Sequence, residues 1–112
     1  METASWQAQL RKGATELIIL SILSRGEAYG LQILQTANAD GDLVTDGALY
    51  PLLNRLEKAG KGTARWVMPD GSGNPRKYYA LTDEGRRLAA EMRKLWVGFR
   101  TNIAALVEKN DA

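Results

Sequence analysis

Thr45-Asp-Gly-Ala-Leu-Tyr-Pro-Leu-Leu-Asn-Arg-Leu-Glu-Lys-Ala-Gly60 is the stretch that decides the fold. Leu49, Leu52, Leu53 and Leu56 recur at i, i+3, i+4 and i+7, so a helix lines them up as one apolar stripe. Thr45 or Asp46 offers an N-cap oxygen, and Gly60 offers a C-terminal stop. The other side carries Gly47, Ala48, Pro51, Asn54, Arg55 and Lys58, small at the start and polar or basic further on. Such a lean face suits a helix pressed into a groove rather than one left in water. Pro51 breaks a local rule, because a proline inside a helix removes a backbone bond at a cost of up to ~3 kcal/mol. Either the helix bends there for a functional reason, or it starts later than Thr45.

Working back from this helix, Ala28-Tyr-Gly-Leu-Gln-Ile-Leu-Gln-Thr-Ala37 reads as a short amphipathic helix through Leu31, Leu34 and Ala37, with Ile33. Asp40-Gly41-Asp42 closes it with a turn signal. A short helix, a turn and a second helix follow in the order of a helix-turn-helix. Further back, Trp6 to Ser24 reads as one helix whose second half is apolar almost all round, as expected of a buried central helix. Its first half, with Trp6 and Leu10, is only partly apolar and is free to reach another surface.

Beyond Gly60 the period changes. Thr63 to Met68 and Lys77 to Leu81 approximate alternation around the turn-rich Pro69-Asp-Gly-Ser-Gly-Asn-Pro75, which predicts a β-hairpin. Thr82-Asp-Glu then opens a last helix, with an N-cap and acidic residues in the first turn. Along it Leu88, Met92, Leu95, Trp96, Phe99, Ile103 and Leu106 recur at spacings of three and four. That stripe is longer than one small domain covers, so it predicts a coiled-coil-like partner. The fold class is therefore mainly α with a small β-hairpin: a winged helix-turn-helix plus a C-terminal dimerisation helix.

Composition narrows the function classes. A chain of 112 residues makes one core of modest size. It contains no Cys and no His, which removes disulfides, thiolate metal sites, the commonest general base and the commonest neutral metal ligand. Neither a metal site nor a cofactor is expected, and catalysis has little support. A net charge of +2 with a pI near 9.0 is compatible with a polyanionic partner. Leu17 to Leu23 is too short to span a bilayer and lacks a signal-peptide layout before it, so the expectation is a cytoplasmic protein without a membrane partner.

Three blocks carry a resemblance: Ala28-Tyr-Gly-Leu-Gln-Ile33, Gly47 to Gly60, and Pro75-Arg-Lys-Tyr-Tyr-Ala-Leu-Thr-Asp-Glu-Gly85. In order and spacing, from Glu16 to Gly85, they resemble the signature blocks of the PadR family of bacterial transcriptional regulators. The single C-terminal helix is similar to the compact, LmrR-like branch. The resemblance implies residues 1–81 as a winged helix-turn-helix DNA-binding domain with an N-terminal helix, and residues 82–112 as a dimerisation helix. It implies a homodimeric repressor of a palindromic double-stranded DNA operator, with a small aromatic molecule as a candidate effector. The DNA-binding residues it points to are Tyr29, Thr45, Gly47, Ala48, Tyr50, Pro51, Asn54, Arg55, Lys58, Gly73, Arg76 and Lys77. Those of the ligand or dimer interface are Trp6, Leu10, Leu88, Met92, Trp96, Phe99 and Ile103.

The residues also admit plainer roles. Tyr29 and Tyr50 can serve packing, Arg55 and Lys58 a solvated face, and Trp96 the bulk of an interface. A winged-helix module for protein contacts, without DNA binding, is the alternative function, and it differs in salt response because phosphate contacts release counterions. The chain departs from the family pattern at Lys61-Gly62, where two apolar residues normally lead into the first wing strand. Glycine weakens a strand and lysine resists burial, so a frayed or shortened first strand, less stable than in relatives, is expected there.

Overall fold

The core forms where the apolar faces of three helices and the first turns of a fourth meet a small sheet. The computed structural model describes residues 2–71 and 73–108. In chain order these are α1 (Glu2–Leu23), β1 (Ala28–Tyr29), α2 (Gly30–Ala37), α3 (Asp46–Lys58), β2 (Gly62–Val67), β3 (Arg76–Leu81) and α4 (Asp83–Val107). The expected class holds: mainly helical, with a winged helix-turn-helix and one long C-terminal helix.

All four leucines of the α3 stripe are buried, against Ile19, Leu20 and Leu23 of α1 and Ile33 of α2. Thr45 caps α3 as read, its Oγ1 accepting from the Ala48 amide at 3.1 Å. At the other end Gly60 takes φ +76°, a left-handed conformation that favours glycine. The Gly60 amide donates to Glu57 O at 3.2 Å and the Lys61 amide to Leu56 O at 2.8 Å, which is the Schellman closure of a helix. The linker before α3 is held by one side chain. Asn38 Oδ1 accepts from the amides of Leu43 and Val44 at 2.8 and 2.9 Å, while its Nδ2 donates to Val44 O at 2.8 Å.

Several expectations need correction. α1 starts at Glu2 rather than Trp6. Ala28–Tyr29 is not helical but a two-residue strand, so the hairpin is part of a three-stranded antiparallel sheet ordered β1-β3-β2. The later start that would relieve Pro51 is not taken: α3 begins at Asp46 and carries Pro51 beyond its first turn.

The shortened first wing strand is also overturned. β2 begins at Gly62, paired with Leu81, and runs in register to Val67 opposite Arg76. Hydrogen bonds to main-chain carbonyls hold this start, not side chains at positions 61 and 62. Lys61 O accepts from the Thr82 amide at 3.0 Å, and Thr82 Oγ1 donates to Gly60 O at 2.7 Å. The Lys61 side chain stays partly exposed, its ammonium 3.4 Å from Glu84.

The molecule measures 61 × 32 × 21 Å with a radius of gyration of 16.4 Å. A compact chain of this length would have about 13 Å. The excess lies in the helices. α1 is exposed on every side up to Leu10, and from Arg93 onward α4 is exposed at every described residue but Ala104. Only the end of α1 and the first turns of α4 belong to the body.

Candidate nucleic-acid interface

α3 turns its four leucines inward, so the residues opposite them face out. Gly47, Pro51, Asn54 and Lys58 lie on this outer face, and all four are exposed. Their small, amide and ammonium groups suit close approach to base edges and phosphates. Pro51 has no amide to give Gly47 O, so the carbonyl of that exposed residue lacks its usual helical donor. Tyr50 and Arg55 form the two flanks. Arg55 lies on the side of α1 and lines a cavity of ≈ 580 Å³ together with Arg11, Lys12 and Glu16. Ala48 is half-buried on the same side.

Tyr50 lies over the start of α2. A β-carbon placed on Gly30 would come within 2.7 Å of Tyr50 Cε1 and 2.8 Å of its Cζ. The ring thus occupies the space that only a glycine leaves. Tyr29, the residue before it, meets Tyr78 edge-on at 5.3 Å between centroids and lies beneath the Arg76 guanidinium at 4.7 Å. Arg65 continues this outer face of the sheet, stacked over Tyr78 at 5.6 Å and bidentate to the Glu27 carboxylate. The hydrogen bonds from Arg65 hold the Glu27 carboxyl below its ordinary pKa of 4.5, outweighing an opposing desolvation, and the positive charge of Arg65 adds to the lowering.

Lys77 is placed differently from Arg76. Alternation along β3 turns it to the side of the sheet that faces α3, where its ammonium stands 3.7 Å from Glu57 and 5.4 Å from the Tyr79 ring centroid. It also lies 5.8 Å from the centroid of Trp66. Trp66 and Met68, 66% and 69% exposed, are wing residues that the sequence reading did not single out. Alternation alone does not say which side they take; the pairing of Trp66 with Lys77 puts the indole on the side of α3, and Met68 follows just beyond the end of β2. Gly73, at the wing tip, takes φ +147°.

The second group of site residues divides. Leu88 and Met92 pack against the protomer's own core, so the free apolar stripe of α4 begins later, at Leu95. Trp6, Leu10, Trp96, Phe99 and Ile103 are all exposed. Leu10, Leu17, Met92, Trp96 and Phe99 line a groove of ≈ 920 Å³ between α1 and α4. Among the described residues no helix is long and apolar enough to cross a membrane.

Comparison with known proteins agrees with this layout. The pattern of the transcriptional regulator PadR-like family matches residues 19–91, from the central part of α1 into α4. The chain belongs to the PadR family. It is 31% identical over 86 residues to the transcriptional regulator Rv3488 of Mycobacterium tuberculosis, covering 77% of this chain and 78% of that one. A PadR family transcriptional regulator from Eggerthella lenta superposes with a TM-score of 0.80 at 34% identity, over 96% of this chain and 94% of that chain. A PadR-like regulator from Bacillus cereus gives 0.79 at 32% identity, over 91% and 99%. As a PadR-family transcriptional regulator, the chain acts through DNA, and the PadR family is one of regulators rather than enzymes.

Proposed function

We propose that this PadR-family chain is a homodimeric repressor of a palindromic operator in the cytoplasm. Residues 1–81 read the DNA, and residues 82–112 pair with a second copy. The outer face of α3 enters the major groove with Gly47, Pro51, Asn54 and Lys58, and with Ala48 at its α1-side edge. Thr45, Tyr50 and Arg55 bound that face, while Tyr29, Gly73, Arg76 and Lys77 meet the adjoining backbone or minor groove.

The observation that carries the dimer is the apolar surface left open along α1 and α4. Leu10, Leu95, Trp96, Phe99 and Ile103 are all exposed on helices that stand away from the body. Contiguous apolar surface of this kind marks an interface, and helices with such stripes pair along them. Two-fold pairing spaces the two recognition helices about one DNA turn apart, ~34 Å, so the operator repeats as an inverted pair.

The same helices support an effector site. The groove between them is apolar, and a symmetry-related Trp96 would let two indoles sandwich a planar aromatic. Arg11 lines it, and Arg93 and Arg100 lie one turn either side of Trp96, which favours a neutral or anionic molecule over a cation.

Selection of bound sites from random DNA by the full chain tests the proposal. The expected product is two inverted half-sites about one helical turn apart. Enrichment of a lone half-site would count against the dimeric reader, and no enrichment would overturn operator binding. Phe99→Asp should leave the helix content unchanged while shifting the protein from dimer to monomer in sedimentation. A dimer that survives would move the interface elsewhere.

A further inference from the structure

We propose that Gly30 is a positioning residue for DNA binding: it sets where Tyr50 stands at the edge of the recognition helix. The inference rests on the reading of Tyr50 as a DNA contact. Gly30 and Tyr50 are 20 positions apart, the first opening α2 and the second on the flank of α3. Added at Gly30, a β-carbon would overlap the tyrosine ring, at 2.7 Å from Cε1 and 2.8 Å from Cζ, with the hydroxyl oxygen nearer still. No van der Waals packing survives at such distances, so one side must move.

Backbone conformation does not explain the glycine. Gly30 is absent from the positive-φ glycines, Gly26, Gly60, Gly71 and Gly73, and it begins a helix whose backbone alanine adopts freely. The group it would strike is the far end of a side chain that is 44% exposed. That ring can swing into solvent. An alanine at position 30 therefore displaces Tyr50 rather than breaking the core, which separates placement from stability.

The position joins two parts of the interface. Tyr29, its neighbour in sequence, is fixed to the sheet by Tyr78 and Arg76. Tyr50 belongs to α3. Gly30 brings the tyrosine of the recognition helix down onto the segment that the wing sheet holds, so the spacing between helix and wing contacts depends on a missing methyl group.

A double-mutant cycle with Gly30→Ala, Tyr50→Ala and the combined variant tests this, using as probe the duplex site that the wild-type chain selects from random DNA. Gly30→Ala should bind that duplex about fivefold or more weakly, in the range of one lost contact. Its melting temperature should stay close to that of the wild type. In the Tyr50→Ala background the same change should have no further effect, because the ring it displaces is gone. Unaltered binding by Gly30→Ala overturns the proposal. So do equal losses in both backgrounds, which would mean that Gly30 acts without Tyr50. Tyr50→Ala binding like wild type would instead remove the reading of Tyr50 as a contact, and a wild type that selects no site would remove DNA recognition itself.

Discussion

The body of the winged helix and the free lengths of α1 and α4 are built from similar residues and end up in opposite environments. In the body, Ile19, Leu20, Ile33 and Leu49 are wholly buried. On the free lengths, Phe99 is 59% exposed and Leu106 86%. Both regions show apolar residues at helical spacing. What differs is the supply of facing surface: α3 is faced by α1, α2 and the sheet, whereas beyond Met92 only the open groove beside α1 adjoins Leu95, Trp96 and Phe99, and they stay exposed. Amphipathic spacing therefore specifies that a face is to be covered, and topology specifies whether the same chain covers it.

The largest expected effect tests this difference directly. Leu49→Ala removes a buried side chain from the centre of the body and should cost about 2–5 kcal/mol in urea unfolding, equally at any protein concentration. Leu106→Ala should lie within about 0.5 kcal/mol in dilute protein, where no second copy covers it. Similar costs for the two in dilute solution would break the distinction between a self-contained core and a face awaiting a partner.

Legibility in the sequence follows the same boundary. α3, its caps and its leucine stripe were readable because the signals lie within 16 residues, from Thr45 to Gly60. β1 was not, since two residues carry no period and Ala28–Tyr29 becomes a strand only by pairing with Tyr78 and Tyr79. The Tyr50–Gly30 contact and the Lys77–Glu57 pair were hidden likewise, each depending on distant positions brought together by folding. Lys61-Gly62 misled for another reason. A side-chain pattern was read at a place where main-chain hydrogen bonds decide the conformation.

Gly85 sits at the joint between the two regions and gives the next effect. A β-carbon there would run into the Lys61 carbonyl oxygen, and it would come within 3.2 Å of Leu81 Cδ2. That carbonyl is backbone and is bonded to the Thr82 amide, so it cannot step aside. Gly85→Ala should cost about 1–3 kcal/mol by overpacking. If α4 is anchored here, the same variant should also weaken dimerisation, because the free length would lose its fixed direction. A neutral substitution would mean that the anchor lies elsewhere.

Gly62 is the opposite kind of glycine, and a smaller effect is expected. Its hypothetical β-carbon would stand 3.4 Å from Ala80 O and 3.6 Å from Leu56 Cβ, which is ordinary contact. Gly62→Ala should therefore stabilise the body by about 0.5–1 kcal/mol, the usual advantage of alanine over glycine in a strand. The thermal midpoint reads this, and a fall in it would show that the start of β2 is tighter than these distances indicate.

The smallest effect belongs to the outer face of the sheet, where Glu27 and Arg65 form an exposed pair. Arg65 lowers the Glu27 pKa in the folded chain, so the carboxylate contributes stability at pH values above its ordinary value of 4.5. That contribution is lost as pH falls through the lowered folded value, since both states then bind the proton. The thermal midpoints of wild type and Glu27→Gln should accordingly differ slightly near neutral pH and converge in acid. Screening by salt should shrink the neutral-pH difference, because both partners are open to solvent. Midpoints that stay parallel from neutral to acid pH would mean that the pair contributes no charge-dependent stability and only orients Arg65 over Tyr78. In that case Glu27→Gln should leave the sheet intact and alter only the arginine's freedom over Tyr78.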